Sequence, residues 1–211
     1  MTALRVGRTM DHCRVLGPGA RAVIWVAGCR LRCRECMTPE LLDFRAGAEV
    51  PVAELGAWVA GLRDIAGLTI SGGEPFEQPA ALSELLDLAR ADRPGLTAMV
   101  FTGYTVEQLR AGTAAQQKLL ERLDIVVDGP YLPERHCTER WRGSDNQRVH
   151  WLTPHSACNP QDMSHSAGVE VLVEASGAFT VTGVPPTRGF RRELRTRLAA
   201  QGIRVATKET S

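Results

Sequence analysis

The chain has 211 residues, 44% of them hydrophobic, and 25 basic against 24 acidic side chains leave a net charge of +1. It is long for one small domain, short for two, and able to bury a real core; its balanced charge supplies no field to steer it onto nucleic acid or a membrane. No stretch approaches the roughly 20 apolar residues that span a bilayer, and Met1-Thr2-Ala3-Leu4-Arg5 lacks the charged-then-apolar layout of a signal peptide, so a cytoplasmic protein is expected.

Taken in chain order, strands and helices alternate. The first strand is expected near 22–27, where Ala22-Val23-Ile24-Trp25-Val26-Ala27 is an unbroken apolar run. Pro51 suits the first turn of a helix that runs to about Arg63, with Val52, Leu55, Val59 and Leu62 on one face. A strand near 67–71 follows. Pro79 then opens a helix with Leu82, Leu85, Leu86 and Ala89 inward, and a strand lies near 97–102. Thr105 caps a short helix, another follows at about 114–122, and a further strand is placed near 124–128. This alternation predicts an α/β fold with parallel strands. Residues 129–148 read as loop, and Val149-His150-Trp151-Leu152 as a closing strand. Polar residues 154–168 read as a linker. Beyond it, alternating Val169, Val171 and Val173, a Ser176-Gly177 turn, and Phe179 and Val181 signal a hairpin, followed by a basic helix at about 188–201. The domains are therefore expected at 1–153, with a linker at 154–168 and a small extension at 169–211.

The chemistry concentrates in Cys29-Arg30-Leu31-Arg32-Cys33-Arg34-Glu35-Cys36, three thiols at spacing C-x3-C-x2-C directly after the first strand. A structural zinc site wants four ligands in paired knuckles. Three close thiols can hold three corners of a [4Fe–4S] cubane with the fourth iron open, or form a metal knuckle completed by a distant Cys or His. The other cysteines, Cys13, Cys137 and Cys158, are scattered and read as spare thiols. A second motif, Gly72-Gly73-Glu74-Pro75, follows the short apolar strand Leu68-Thr69-Ile70-Ser71. Paired glycines let a strand end turn sharply and let backbone approach a ligand closely. Every candidate segment falls at a strand end: Gly28–Cys36, Ser71–Pro75, Thr102–Tyr104 and Asp128–Pro130. That is the edge where α/β folds build their sites.

The cysteine triplet and the GGEP loop resemble those of radical S-adenosylmethionine (SAM) enzymes. Gly17-Pro18-Gly19, Phe101-Thr102-Gly103-Tyr104, Val126-Val127-Asp128-Gly129-Pro130 and Trp141-Arg142-Gly143-Ser144-Asp145-Asn146-Gln147-Arg148 extend the resemblance, over roughly residues 10–153, to the activating proteins of anaerobic ribonucleotide reductase. The resemblance implies a partial, open (β/α) barrel of radical SAM type, carrying here a small C-terminal β-hairpin and helix extension. It implies a [4Fe–4S] cluster on Cys29, Cys33 and Cys36, with SAM on its open iron. Around SAM it places Ser71, Gly72, Gly73 and Glu74, with Thr102 and Asp128 on the same edge, although Asp128 reads equally as a turn residue before Gly129. Glu35 and Met37 stand where adenine is packed, and many relatives carry aromatics there. The implied activity is abstraction of a hydrogen atom from a backbone glycine of a glycyl-radical enzyme, such as the large subunit of anaerobic ribonucleotide reductase. A flavodoxin- or ferredoxin-type protein would supply the electron. Tyr131–Arg148, with Trp141 and Arg142, is expected to border the partner-docking face, because Trp and Arg anchor interfaces; packing of Trp141 on the rim is the alternative. Two further functional readings stay open: a radical SAM enzyme acting on a small molecule or peptide, and a non-catalytic metal module completed by His12, His136 or Cys137.

Overall fold

The computed structural model of the protein describes residues 2–154, 168–173 and 179–203. Its frame is a seven-stranded mixed sheet. The strands are β1 (Ala3–Cys13), β2 (Arg21–Val26), β3 (Ala48–Pro51), β4 (Gly67–Gly72), β5 (Thr97–Phe101), β6 (Ile125–Asp128) and β7 (Arg148–Trp151), in the order β3-β1-β2-β4-β5-β6-β7. The four central strands β2, β4, β5 and β6 are parallel, as the alternation predicts. The edges are antiparallel: β1 pairs with both β2 and β3, and β7 pairs with β6. The sheet does not close on itself.

Strand β1 is absent from the sequence expectation, which begins the sheet at residue 22. Its eleven residues bury only Leu4, Val6 and Cys13, and its register shifts between Val6 and Arg8 and again between Met10 and Cys13. Two such irregularities break the period of two on which strand recognition depends. Strand β3 is nearly all exposed and is called into the sheet by β1, not by its own pattern.

The central strands alternate cleanly across the sheet. Ala22, Ile24, Val26, Leu68, Ile70, Ala98, Val100 and Val126 face one side. Onto that side pack α1 (Val52–Gly61), α2 (Pro79–Asp92), α3 (Val106–Arg110) and α4 (Ala114–Leu120). Leu82, Leu85, Leu86 and Ala89 of α2 are fully buried as expected, and each such leucine contributes about 2 kcal/mol through apolar burial. Both Thr105 and Thr113 form capping boxes, with Gln108 and Gln116 respectively. The other side carries no helix from this set. Val23, Trp25, Met99, Ile125 and Val127 lie there under loops, and Trp141 closes over Met99, Ile125 and Val127.

At the N-terminal edge of the parallel strands sits Arg21, fully buried. Its Nε donates to Thr69 Oγ1 at 2.6 Å, its Nη1 to Thr97 Oγ1 at 2.9 Å, and its Nη2 to the Leu68 and Thr97 carbonyls at 2.9 and 3.0 Å. Gly17 and Gly67 make room for it: a Cβ at either would lie within 2.5 Å of the Arg21 side chain. One guanidinium thus ties β2 to β4 and β5.

The extension forms a separate two-stranded sheet, β8 (Val169–Val173) antiparallel to β9 (Phe179–Gly183), followed by α5 (Phe190–Ala200). The hairpin and helix are where the pattern expects them. The expected Ser176-Gly177 turn, the body of the linker and Cys158 lie outside the described residues.

Arg21→Met is expected to lower unfolding free energy by about 3 kcal/mol, because the carbonyls and hydroxyls it serves stay buried without their donor. Urea denaturation monitored by circular dichroism measures this; a variant as stable as wild type would show that the buried bonds contribute nothing net.

Candidate active site

The loop after β2 is closed on itself. Gly28 N donates to Leu41 O at 2.9 Å and Cys29 N to Leu42 O at 3.1 Å, so residues 28–42 leave the sheet and return to the same point. Leu41 anchors the return by packing where a Cβ on Gly7 would stand, 2.3 Å from its Cδ2. The loop carries Cys29, Cys33 and Cys36, all with free thiols, Cys29 buried and the other two partly exposed. Thr38 N–H donates to the Cys36 sulfur at 3.5 Å. Burial pushes the Cys29 and Cys33 thiols up, and each is raised further by its neighbouring thiol and by Glu74. The thiols and the Glu74 carboxylate therefore share one electrostatic neighbourhood.

The GGEP loop lies against this loop. Gly73 N donates to Val26 O at 2.7 Å and Glu74 N to Gly28 O at 2.8 Å. Gly72 has φ +108°, and a Cβ on it would stand 2.4 Å from Val26 O; one on Gly73 would stand 2.4 Å from Gly28 O. The two glycines thus let β4 pass tightly against the exit of β2. Thr38 adds a third tie, its hydroxyl donating to Gly72 O at 2.8 Å.

Glu74 is 1% exposed. Its carboxylate accepts from Phe76 N at 3.0 Å, the Thr102 hydroxyl at 2.8 Å and Gly103 N at 2.9 Å. Those donors favour the charged form, yet burial outweighs them and pushes the carboxyl up to about 7. Thr102 is buried with it. Gly103 leaves space for Leu31, whose Cδ1 would meet a Cβ there at 2.4 Å. Glu74 and Thr102 are therefore brought together as expected, bonded to each other.

Asp128, at the end of β6, is fully buried. It accepts from Val106 N at 2.8 Å and from Arg148 Nε at 3.0 Å, with His150 Nε2 at 3.1 Å. Arg148 hydrogen bonds hold its carboxyl below the usual range against the opposing effect of burial. These contacts pin α3 and β7 to the sheet. Ser71, Gly72 and Gly73 remain partly exposed along the edge, Met37 is exposed, and the Glu35 carboxylate turns to Arg188.

Several members were missed in the sequence. Arg30 is held by Glu77 and lies 5.2 Å over the Phe44 ring, while Tyr104 donates to Glu77 at 3.3 Å. Thr38-Pro39 after the last cysteine was the one local signal, since Thr before a turn bonds nearby backbone. Arg188 and Arg191 approach from more than 150 residues away, beyond any local pattern.

The expectation that Trp141 and Arg142 present a docking face is corrected. Trp141 is 2% exposed and packs 5.9 Å from Trp151, centroid to centroid; Arg142 pairs with Glu139 and donates to Gln147 O at 3.2 Å. An aromatic residue and an arginine side by side look alike in sequence whether they form an anchor or a core.

Among the described residues no group of three His, Cys, Asp or Glu converges on a single ion. His12 is engaged with Arg63 O at 2.9 Å, His136 with the Tyr131 hydroxyl at 3.3 Å, and Cys137 with Arg142 O at 3.6 Å. A zinc knuckle needs such convergence, whereas thiolates on a cubane each bind a different iron and stand further apart. Cys13 is buried, its thiol pushed up to about 12 by burial, and is inert.

Residues 15–150 match the family of the 4Fe-4S single cluster domain. The anaerobic ribonucleoside-triphosphate reductase-activating protein of Vibrio cholerae is 33% identical over 147 residues, covering 66% of this chain and 92% of its own length. The proteins of the same name from Escherichia coli K12 and phage T4 are 32% and 31% identical, covering 65% and 64% of this chain and 92% and 86% of theirs. The thiol loop and the GGEP loop both lie within the matched residues 15–150, and the chain belongs to the family of anaerobic ribonucleoside-triphosphate reductase-activating proteins, with a 4Fe-4S single cluster domain.

Proposed function

We propose that the protein is a radical SAM activating enzyme whose partner is a glycyl-radical enzyme, an anaerobic ribonucleotide reductase. The observation that carries this is the junction of the two loops. Three free thiols lie on a closed loop bonded directly to the GGEP loop through Thr38 to Gly72 and Glu74 to Gly28. Three free thiols on one loop fit a [4Fe–4S] cluster held by Cys29, Cys33 and Cys36, with one iron left open. SAM then lies along Ser71, Gly72 and Gly73, with Met37 and Glu35 at the adenine side. When bound, the two groups supply one-electron reductive cleavage of SAM to a 5′-deoxyadenosyl radical, which takes a hydrogen atom from the partner's glycine.

The chain's own residues bind, orient and shield. Glu74 and Thr102 fix the GGEP loop relative to β5, and Asp128 fixes the next strand exit through Arg148 and α3. The open sheet is read as the partial (β/α) barrel of the radical SAM type, its helix-free side turned inward. Residues 1–153 form this unit, 154–168 the linker and 169–211 the extension. Electrons come from a flavodoxin- or ferredoxin-type donor. Among the described residues no helix is long and apolar enough to cross a membrane.

Anaerobic reconstitution tests the cluster. Wild type is expected to take up four irons and four sulfides per chain on the order of a single cubane and, once reduced, to release 5′-deoxyadenosine from SAM. Cys29→Ser, Cys33→Ser and Cys36→Ser should each lose SAM cleavage, while Cys13→Ser and Cys137→Ser keep the iron. Dependence of the cluster on Cys13 or Cys137 would overturn the three-thiol assignment.

Glu74 gives a pH signature. Its folded-state carboxyl titrates at about 7 against an ordinary 4.5, so the folded protein binds the proton more tightly than the unfolded chain. Stability from this group is present at low pH and is lost as pH rises between 4.5 and 7, by about 3 kcal/mol. Glu74→Gln has no such titration. The stability of wild type minus that of the variant, measured on metal-free protein, should fall across this window; a flat difference would show that Glu74 is ionised throughout.

A further inference from the structure

The extension lies outside the family match at 15–150, and 92% of the Vibrio cholerae relative is accounted for by 66% of this chain. It nevertheless returns to the thiol loop. Its base is seated on the main unit: Glu170 accepts from Arg14 N at 3.1 and 3.0 Å, Val184 is buried, and a Cβ on Gly183 would stand 3.1 Å from Val15 Cγ2. From that seat Arg188 and α5 reach the far side of the loop. Arg188 Nη2 donates to Glu35 Oε1 at 3.1 Å and its Nε to Oε2 at 3.4 Å. Arg191 Nη1 donates to Met37 O at 2.7 Å and to Glu40 Oε2 at 3.0 Å.

These contacts bracket Cys36 on both sides. They also fall where the loop is least at ease. Glu35 has φ +54° and Arg32 φ +47°, a left-handed conformation that non-glycine residues keep only when their surroundings hold them there. An isolated exposed ion pair contributes little. Here two arginines from one segment engage three points of one loop, at Glu35, Met37 and Glu40, and one of the acceptors is a backbone carbonyl. Elsewhere the loop is held to the main unit by Arg34 to Glu134 at 3.2 Å and by the Thr38 hydroxyl to Gly72 O at 2.8 Å. Without the extension the segment carrying the third thiol would rest on these contacts alone.

We infer that the C-terminal extension is a clamp on the thiol loop, with Arg188 and Arg191 as positioning residues that hold Glu35–Glu40 in the conformation presenting Cys36. The consequence for a cluster rests on the function proposed above; the clamp itself does not.

Hydrogen exchange of the metal-free full chain, read by mass spectrometry, tests it. In the double variant Arg188→Ala, Arg191→Ala, amides of residues 34–40 should exchange at least about threefold faster than in wild type, with β4 and β5 unchanged. The charge swap Glu35→Arg with Arg188→Glu should restore protection that Arg188→Glu alone removes. Unchanged exchange at 34–40, acceleration throughout the sheet, or a swap that fails to restore protection would each overturn the clamp. On anaerobically reconstituted protein, removal of iron by a chelator should be about threefold faster in the double variant, and equal rates would overturn its effect on the cluster. Wild type that takes up no iron and sulfide would defeat the cluster assignment, while the exchange experiment would still decide the clamp.

Discussion

The arrangement depends on one buried carboxylate. Glu74 joins three strand exits: its backbone N–H reaches the start of the thiol loop at Gly28, while its side chain holds Thr102 and Gly103 beyond β5. Removing such a group from water is costly unless its oxygens are satisfied. The three donors that satisfy them are therefore locked in place, and with them the position of the GGEP loop against the exit of β5. The glycines at 72 and 73 belong to the same constraint, because any side chain there would push the two loops apart.

The sheet is tied in the same manner at its opposite edge. Arg21 spreads its donors over β4 and β5 from the N-terminal side, as Glu74 and Asp128 gather N–H groups on the C-terminal side. Buried charges placed this way do not raise stability much over a well-packed apolar core. What they do is specify register and loop position, which apolar contacts, being non-directional, leave loose. Four helices on one side supply the bulk of the burial. The other side is left to Trp25, Met99 and Trp141 under loops, so the edge between the two sides stays free for the site.

The part of the chain shared with the curated relatives carries this whole apparatus, and the extension adds to it from outside. It places guanidinium groups on a loop whose own backbone is strained at Arg32 and Glu35. A loop built for a large inorganic group cannot satisfy all of its backbone internally, and contacts from a distant segment are one way to fix it.

Much of this was legible in the sequence. The C-x3-C-x2-C spacing, the GGEP turn, the inward leucines of α2 and the Thr105 cap are local patterns whose physics is complete within a few residues. The antiparallel strand β1 was not, because its bulges break the alternation and its partners at β2 and β3 lie elsewhere in the chain. Nor was the true place of Trp141, since burial depends on what lies opposite, here Met99, Ile125 and Val127. The structural work of Glu74 and Asp128, and the reach of Arg188 and Arg191 to the thiol loop, were settled by tertiary structure alone: a hydrogen bond across 150 residues leaves no periodic trace, and only the folded sheet brings its two ends within 3 Å.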